Sequence, residues 1–291
     1  MERRAFVGTG LIGAAMVEAA LARGESVTVW NRSPQRAEPL GRRGARVAAT
    51  VVEAVTGQLR VHLALRSDPA VDAVLAQIGP VLAPEAIVLD HSTTSPAGTR
   101  ARAERCAAQG VRYLHAPVFM SPPACRQARG MIIVSGPVAW FAEVEAELLR
   151  MTGVVRHVGP RPDAAAVFKL VGNALNLTVL GGLADAYAMA GRQGISPAQV
   201  QQMLADFDLR PIVTGRGARM AAGDFSTQWT LDMARKDLGL MIDAAGEAPL
   251  AVWPGLARRM DALVEQGEAA RDVAVLGRDS LGGEPEGRGS P

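Results

Sequence analysis

With 291 residues, 48% of them hydrophobic and 21% charged, the chain has the composition of a globular protein of one large or two ordinary domains, and low-complexity and fibrous classes are excluded. A net charge of +2 gives no reason to expect nucleic acid or an anionic membrane as partner. Cys106 and Cys125 are too few for a disulfide framework and, like His62, His91, His115 and His157, lack metal-ligand spacing, so a cytoplasmic protein without a metal is expected.

Taken in chain order, short apolar runs at 4–7, 26–30, 61–65, 87–89, 113–116 and 131–135 predict strands. Stretches at 13–23, 68–76, 97–109 and 138–151 predict the helices between them. This alternation predicts an α/β domain over residues 1–162, a doubly wound parallel sheet of Rossmann type covered on both faces. After Pro162 the texture changes, and 163–193 predict one long connecting helix. Lys169, Asn173, Asn176 and Asp185 interrupt its apolar run, which argues against a membrane span. Ser196-Pro197-Ala198-Gln199 restarts a helix with a capping box, and further helices are predicted near 197–207, 211–222, 229–245 and 254–267. Residues 163–281 are therefore expected to form an all-helical C-terminal domain, with 282–291, rich in Gly, Pro and charge, as a disordered tail.

The first predicted strand runs straight into Gly8-Thr9-Gly10-Leu11-Ile12-Gly13 and a helix. In such a turn the first glycine permits the bend, the second lets backbone approach a pyrophosphate, and the third allows close packing of helix on strand. The helix N-terminus adds unpaired N–H groups and a partial positive charge for phosphate. The second predicted strand ends in Asn31-Arg32-Ser33, where an acidic residue would accept hydrogen bonds from the ribose of NAD. Asn31, Arg32 and Ser33 offer donors and a fixed charge instead, which suits the 2′-phosphate of NADP(H); the competing reading of Arg32 is a solvated surface charge.

Only Lys169 and Lys236 are lysines, whereas 29 residues are arginine. An ammonium, unlike a guanidinium, can lose its proton near neutral pH when its surroundings lower its pKa. Lys169 and Asn173, four apart on the long helix, share a face among apolar neighbours Val167, Phe168, Leu170 and Val171.

The succession of Gly8–Gly13, Asp90-His91-Ser92-Thr93-Thr94-Ser95-Pro96, Ala116-Pro117-Val118, Lys169 with Asn173, and Lys236-Asp237 resembles the β-hydroxyacid dehydrogenases, the group of 3-hydroxyisobutyrate dehydrogenase and glyoxylate and succinic semialdehyde reductases. The resemblance runs from residue 4 to about 280 and implies a Rossmann domain, a long connecting helix and a helical domain. It implies Lys169 as catalytic acid and base, Asn173 as the residue holding substrate beside it, and Thr93 as lining the nicotinamide and substrate region. It also implies Lys236 and Leu65 as cofactor contacts, with a surface ion pair for Asp237 and core packing for Leu65 as alternatives. An association of subunits, dimer or tetramer, is expected on the same ground.

Two departures stand out. Relatives follow Ala-Pro-Val with Ser-Gly-Gly, a cradle for the substrate carboxylate; here Phe119-Met120-Ser121-Pro122-Pro123 stands in its place. Prolines remove donors, and Phe119 and Met120 either make the pocket more apolar, with Ser121 still able to donate, or pack into the core. Gly172 stands where many relatives carry a second Asn before Asn173. The expected activity is thus an NADP(H)-dependent reduction of a small aldehyde or keto acid, or oxidation of the hydroxyacid. An imine reductase of the same fold and a catalytically silent NADP(H)-binding reader are the alternatives.

Overall fold

A computed structural model describes residues 4–281; the tail expected at 282–291 lies outside the described residues. The first sheet contains β1 (Arg4–Val7), β2 (Val27–Trp30), β3 (Arg46–Val47), β4 (Arg60–Leu63), β5 (Ile87–Asp90) and β6 (Arg112–His115). Its order is β3-β2-β1-β4-β5-β6 with every pair parallel. Between the strands run α1 (Leu11–Ala22), α2 (Glu38–Gly41), α3 (Val51–Val55), α4 (Asp68–Ile78) and α5 (Pro96–Ala108).

Side chains alternate across this sheet, as a strand's period of two requires. Phe6, Ile87, Leu89 and Leu114 enter the core on one face, and Ala5, Val7, Val61, Leu63 and Val88 enter that on the other. Burial of both faces is why the strands read as unbroken apolar runs. The strand order reverses between β1 and β4, and in a parallel sheet the crevice beyond that switch point is where ligands bind. The parallel arrangement carries the ends of β1, β2, β4, β5 and β6, each followed by a motif segment, to the same edge of the sheet.

A small second sheet follows, made of β7 (Val118–Phe119), β8 (Met131–Val134) and β9 (Val155–His157), with α6 (Pro122–Arg126) and α7 (Val138–Thr152) between them. β7 is antiparallel to β8, and β9 is parallel to it. The long helix α8 spans Ala164–Arg192, close to the predicted 163–193. Contacts divide the chain into units 1–174 and 175–291, so the division falls inside α8 rather than at the helix start. Local packing explains the shift: Ala164, Ala165 and Ala166 are buried, and Asp163 pairs with Arg100 at 2.7 Å. Lys169 and Asn173 consequently belong to the sheet-bearing unit.

The second unit holds the rest of α8, then α9 (Pro197–Leu204), a π-helical segment Ile212–Arg216 that leads into α10 (Gly217–Ala221), α11 (Leu231–Ala245) and α12 (Trp253–Glu265). A 3-10 helix, Val273–Ser280, completes it, and no strand occurs among its described residues. Leu231, Leu238, Met260, Leu263 and Val275 lie at its core. The start of α12 has no capping side chain of its own. Buried Asp185 of α8 supplies one, accepting hydrogen bonds from the N–H groups of Ala251, Val252 and Trp253 at 2.7, 2.9 and 3.0 Å. By length and composition α8 is the one described helix able to cross a membrane.

Candidate active site

Each glycine of the first turn does what its position requires. Gly8 has φ +96°, and a Cβ there would lie 2.4 Å from the Ala64 carbonyl oxygen. A Cβ on Gly13 would lie 2.0 Å from the oxygen of Gly8, so helix and strand could not close. Gly10 faces open space, with nothing within 4 Å of a hypothetical Cβ. It is also the N-cap of α1 and makes no side-chain cap bond, so the first N–H groups of the helix remain free for an anion. A pyrophosphate fits this open, donor-rich turn. Leu11 and Ile12 form the first turn of α1, Leu11 largely exposed. Thr9 is buried, and its hydroxyl oxygen has no hydrogen-bond partner among the described residues.

Asn31 is committed within the protein. Its Oδ1 accepts from Thr9 N–H at 3.0 Å and its Nδ2 donates to the Ser33 carbonyl at 3.0 Å, which fixes the orientation of the amide. It therefore braces the glycine turn against the loop after β2 instead of offering a free carboxamide. Arg32 and Ser33 are exposed, and neither side chain is held by a bond or ion pair among the described residues. These two follow the C-terminal end of β2.

The segment after β5 is almost wholly occupied with building itself. Buried Asp90 accepts from Ser92 N–H at 3.0 Å and from the Tyr113 hydroxyl at 2.7 Å. Ser92 Oγ accepts from Leu65 N–H at 2.9 Å, tying the β4 end to the β5 end. Thr94 and Thr99 share a hydroxyl hydrogen bond, and Ser95 caps α5 by accepting from Gly98 N–H. Thr93 is the exception, exposed and with its hydroxyl uncommitted among the described residues. Leu65 is half-buried, packed against the sheet core and 2.9 Å from the position a Gly8 Cβ would take, so it walls the turn as well as packing.

The segment after β6 rests on a buried polar chain that sequence reasoning missed. Glu147 accepts from Arg4 Nε at 2.8 Å and from His62 Nε2 at 3.2 Å. His62 Nδ1 lies 3.0 Å from His91 Nε2, and His91 Nδ1 donates to the Ala116 carbonyl at 2.7 Å. Burial first, and the charge of His62 second, push His91 down to about 3, so His91 stays neutral and accepts from His62. His62 thus lies between Glu147 and His91, and the chain anchors the carbonyl just before Pro117-Val118-Phe119. Nothing in the spacing of residues 4, 62, 91 and 147 announces such a chain.

Beyond that anchor the structure brings Phe119, Lys169, Gly172 and Asn173 together. Lys169 Nζ donates to Asn173 Oδ1 at 3.0 Å and sits 4.1 Å from the centroid of the Phe119 ring. Burial lowers the lysine's pKa from its ordinary value. Met120 turns the other way and packs against the core of the unit. Ser121 is the N-cap of α6, its Oγ accepting from Ala124 N–H at 3.3 Å, and Pro122-Pro123 form that helix's first turn. The Ser-Pro-Pro run is thus a helix start as well as a loss of donors. Lys236 is exposed on α11 in the second unit and pairs with Asp237 at 3.0 Å. Cys106 and Cys125 are buried, and burial pushes both thiols up to about 11, so neither is a nucleophile at neutral pH.

Residues 3–159 match the NAD-binding domain of 6-phosphogluconate dehydrogenase. The chain is 27% identical to 3-hydroxyisobutyrate dehydrogenase of Pseudomonas aeruginosa, over 92% of this chain and 94% of that one. It is 26% identical to the cytokine-like nuclear factor N-PAC of Drosophila melanogaster, over 82% of this chain but 40% of that longer protein. Among solved structures, a reductive aminase from Aspergillus terreus superposes with a TM-score of 0.87 at 23% identity, over 96% of this chain and 99% of the aminase, a likeness of fold.

Proposed function

Since the chain belongs to the β-hydroxyacid dehydrogenase family and is a nicotinamide-dependent oxidoreductase, we propose that it uses NADP(H) to interconvert a small carbonyl compound and its alcohol, with Lys169 as the proton donor and acceptor. The observation that carries this reading is the half-buried Lys169 ammonium, held by Asn173 at 3.0 Å on the sheet-bearing unit that also carries the glycine turn. Gly8, Gly10, Gly13 and the uncapped start of α1 would hold the pyrophosphate, and Arg32 with Ser33 the 2′-phosphate. Thr93 and Leu65 would flank the nicotinamide end, and Lys236 is a further cofactor contact suggested by the family pattern. When bound, the nicotinamide supplies or takes up hydride at the substrate carbon.

The chain's own part is the proton. In reduction, charge grows on the carbonyl oxygen; the Lys169 ammonium stabilises it and gives up a proton from Nζ. In oxidation, neutral Lys169 accepts the hydroxyl proton. Asn173 Oδ1 takes one hydrogen of Nζ and so fixes where the others point, while the Asn173 amide nitrogen stays available to substrate. The exposed apolar side chains of α8 would be covered by a second copy of the chain, and we assign the protein to the cytoplasm.

The test is NADPH consumption by the purified protein against aldehydes, keto acids and cyclic imines, beside Lys169→Ala and Arg32→Ser. Lys169→Ala should lower turnover by about 10²–10⁴-fold while NADPH binding, read by nucleotide fluorescence, is retained. Arg32→Ser should raise KM for NADPH far more than for NADH. Consumption with imines alone would make the protein an imine reductase. Bound NADPH with no turnover of any compound would make it a silent reader.

A further inference from the structure

The two departures from the family pattern, Phe119 and Gly172, touch one another. A Cβ built on Gly172 would lie 2.4 Å from Cζ and 2.6 Å from Cε1 of the Phe119 ring, so the ring occupies the space that any larger residue at 172 would need. The same ring lies 4.1 Å from Lys169 Nζ and covers one side of the ammonium with its π face. That face is the negative part of the ring's quadrupole, which attracts a cation and repels an anion.

The start of α6 gives an anion no backbone donor in exchange. Pro122 and Pro123, the first residues of α6, have no N–H. Ala124 N–H is bound to Ser121 Oγ at 3.3 Å, and Cys125 N–H to the Ser121 carbonyl at 2.9 Å. The first turn of α6 is therefore without a free backbone donor. A carboxylate lying beside the reacting carbon would lose water here and meet, on the Phe119 side, an aromatic face of unfavourable sign and, at Pro122 and Pro123, no N–H. An uncharged, apolar substituent would lose little and gain contact with the ring.

We propose that Phe119 and Gly172 are a matched pair that sets the substrate class, admitting small uncharged carbonyl compounds in preference to carboxylated ones. Phe119 shields the ammonium and excludes the anion; Gly172 gives the ring its place. The proposal rests on Lys169 being the proton donor, and its test separates the two.

The experiment compares butanal with succinic semialdehyde, which share a four-carbon aldehyde and differ by the carboxylate. It uses the wild type, Phe119→Ser, Gly172→Asn and the double variant. Wild type should favour butanal in kcat/KM by roughly tenfold or more, the penalty of a charged group left without its hydrogen bonds. Phe119→Ser should narrow that ratio, chiefly by lowering KM for the acid. Gly172→Asn alone should melt earlier than wild type, because the ring and the new side chain compete for one space. Adding Phe119→Ser to it should recover the melting temperature. A wild type that turns over but favours succinic semialdehyde would overturn the proposal and leave Lys169 in its role. Independent effects of the two substitutions on melting would also overturn it, whatever the activity. Loss of all turnover, with NADPH still bound, would remove the Lys169 reading and this one together.

Discussion

Lys169 is pulled in opposite directions. Burial disfavours its charged form, while the Asn173 oxygen at 3.0 Å and the Phe119 ring at 4.1 Å favour it; burial prevails and the pKa is lowered. The sign of the pH dependence follows from the step each direction needs. In the proposed mechanism reduction requires the ammonium, so its rate should be full at low pH and fall as pH rises through the lowered pKa, below the usual 10.5 of a lysine. Oxidation requires the free amine and rises across the same interval. Measuring kcat/KM in both directions from neutral to strongly alkaline pH should give two limbs of opposite slope sharing one midpoint. Lys169→Arg should keep the charge and lose the titration, leaving a slow enzyme with no limb in that range. Limbs of the same sign in both directions would remove Lys169 as the proton carrier. Scarcity of lysine drew attention to this residue, yet equally to Lys236, which lies on the surface beside Asp237. Composition can single out a chemical type; it carries nothing about burial, which decides whether that type is perturbed.

At the scale of elements, the parallel sheet was legible because buried strands alternating with helices leave a pattern that composition and spacing preserve. Strands β3, β7 and β9, of 2, 2 and 3 residues, were not, since so short a run shows no period. The Ser121-Pro122-Pro123 run is legible as a loss of donors and also as a helix start, since a capping residue followed by proline is itself a helix signal. The π-helical turn at Ile212–Arg216 has no sequence signature of this kind. The buried chain under the site, by contrast, joins β1, β4, β5 and α7 through residues far apart in sequence. Burial alone would raise the Glu147 pKa, but His62 and then Arg4 override it and hold the carboxylate at about 2. A carboxylate depressed in the folded state adds stability above its unfolded pKa of 4.5, and that stability is lost as pH falls from there toward 2. Glu147→Gln should therefore cost about 3 kcal/mol or more at neutral pH, because buried Arg4 loses its counter-charge. Its melting temperature should also fall less steeply than wild type below pH 4.5. Parallel acid limbs for the two proteins would show that Glu147 does not set this dependence.

For the molecule as a whole, α8 presents a problem of solvation that the single chain leaves open. Phe168, Val171, Leu175, Val179, Leu177 and Leu180 are all at least half exposed, the last two at 70% and 62%. Soluble monomers rarely expose so continuous an apolar surface. Lipid is a poor cover for it. A spanning α8 would carry the Lys169 ammonium and the Asp185 carboxylate into hydrocarbon, and Asp185 is already engaged by the N–H groups of residues 251–253. A second copy of the chain can cover apolar side chains without disturbing either charge, and symmetric pairing lets one patch serve as its own complement. Light scattering on the wild type should therefore give a dimer or a multiple of it. Leu177→Glu combined with Leu180→Glu places two charges on the exposed stripe, where no buried residue of the chain has to move, and should shift the mass toward the monomer without lowering helix content. A wild type that stays monomeric at high concentration, or that instead floats with neutral lipid vesicles, would remove the second copy as the cover of α8.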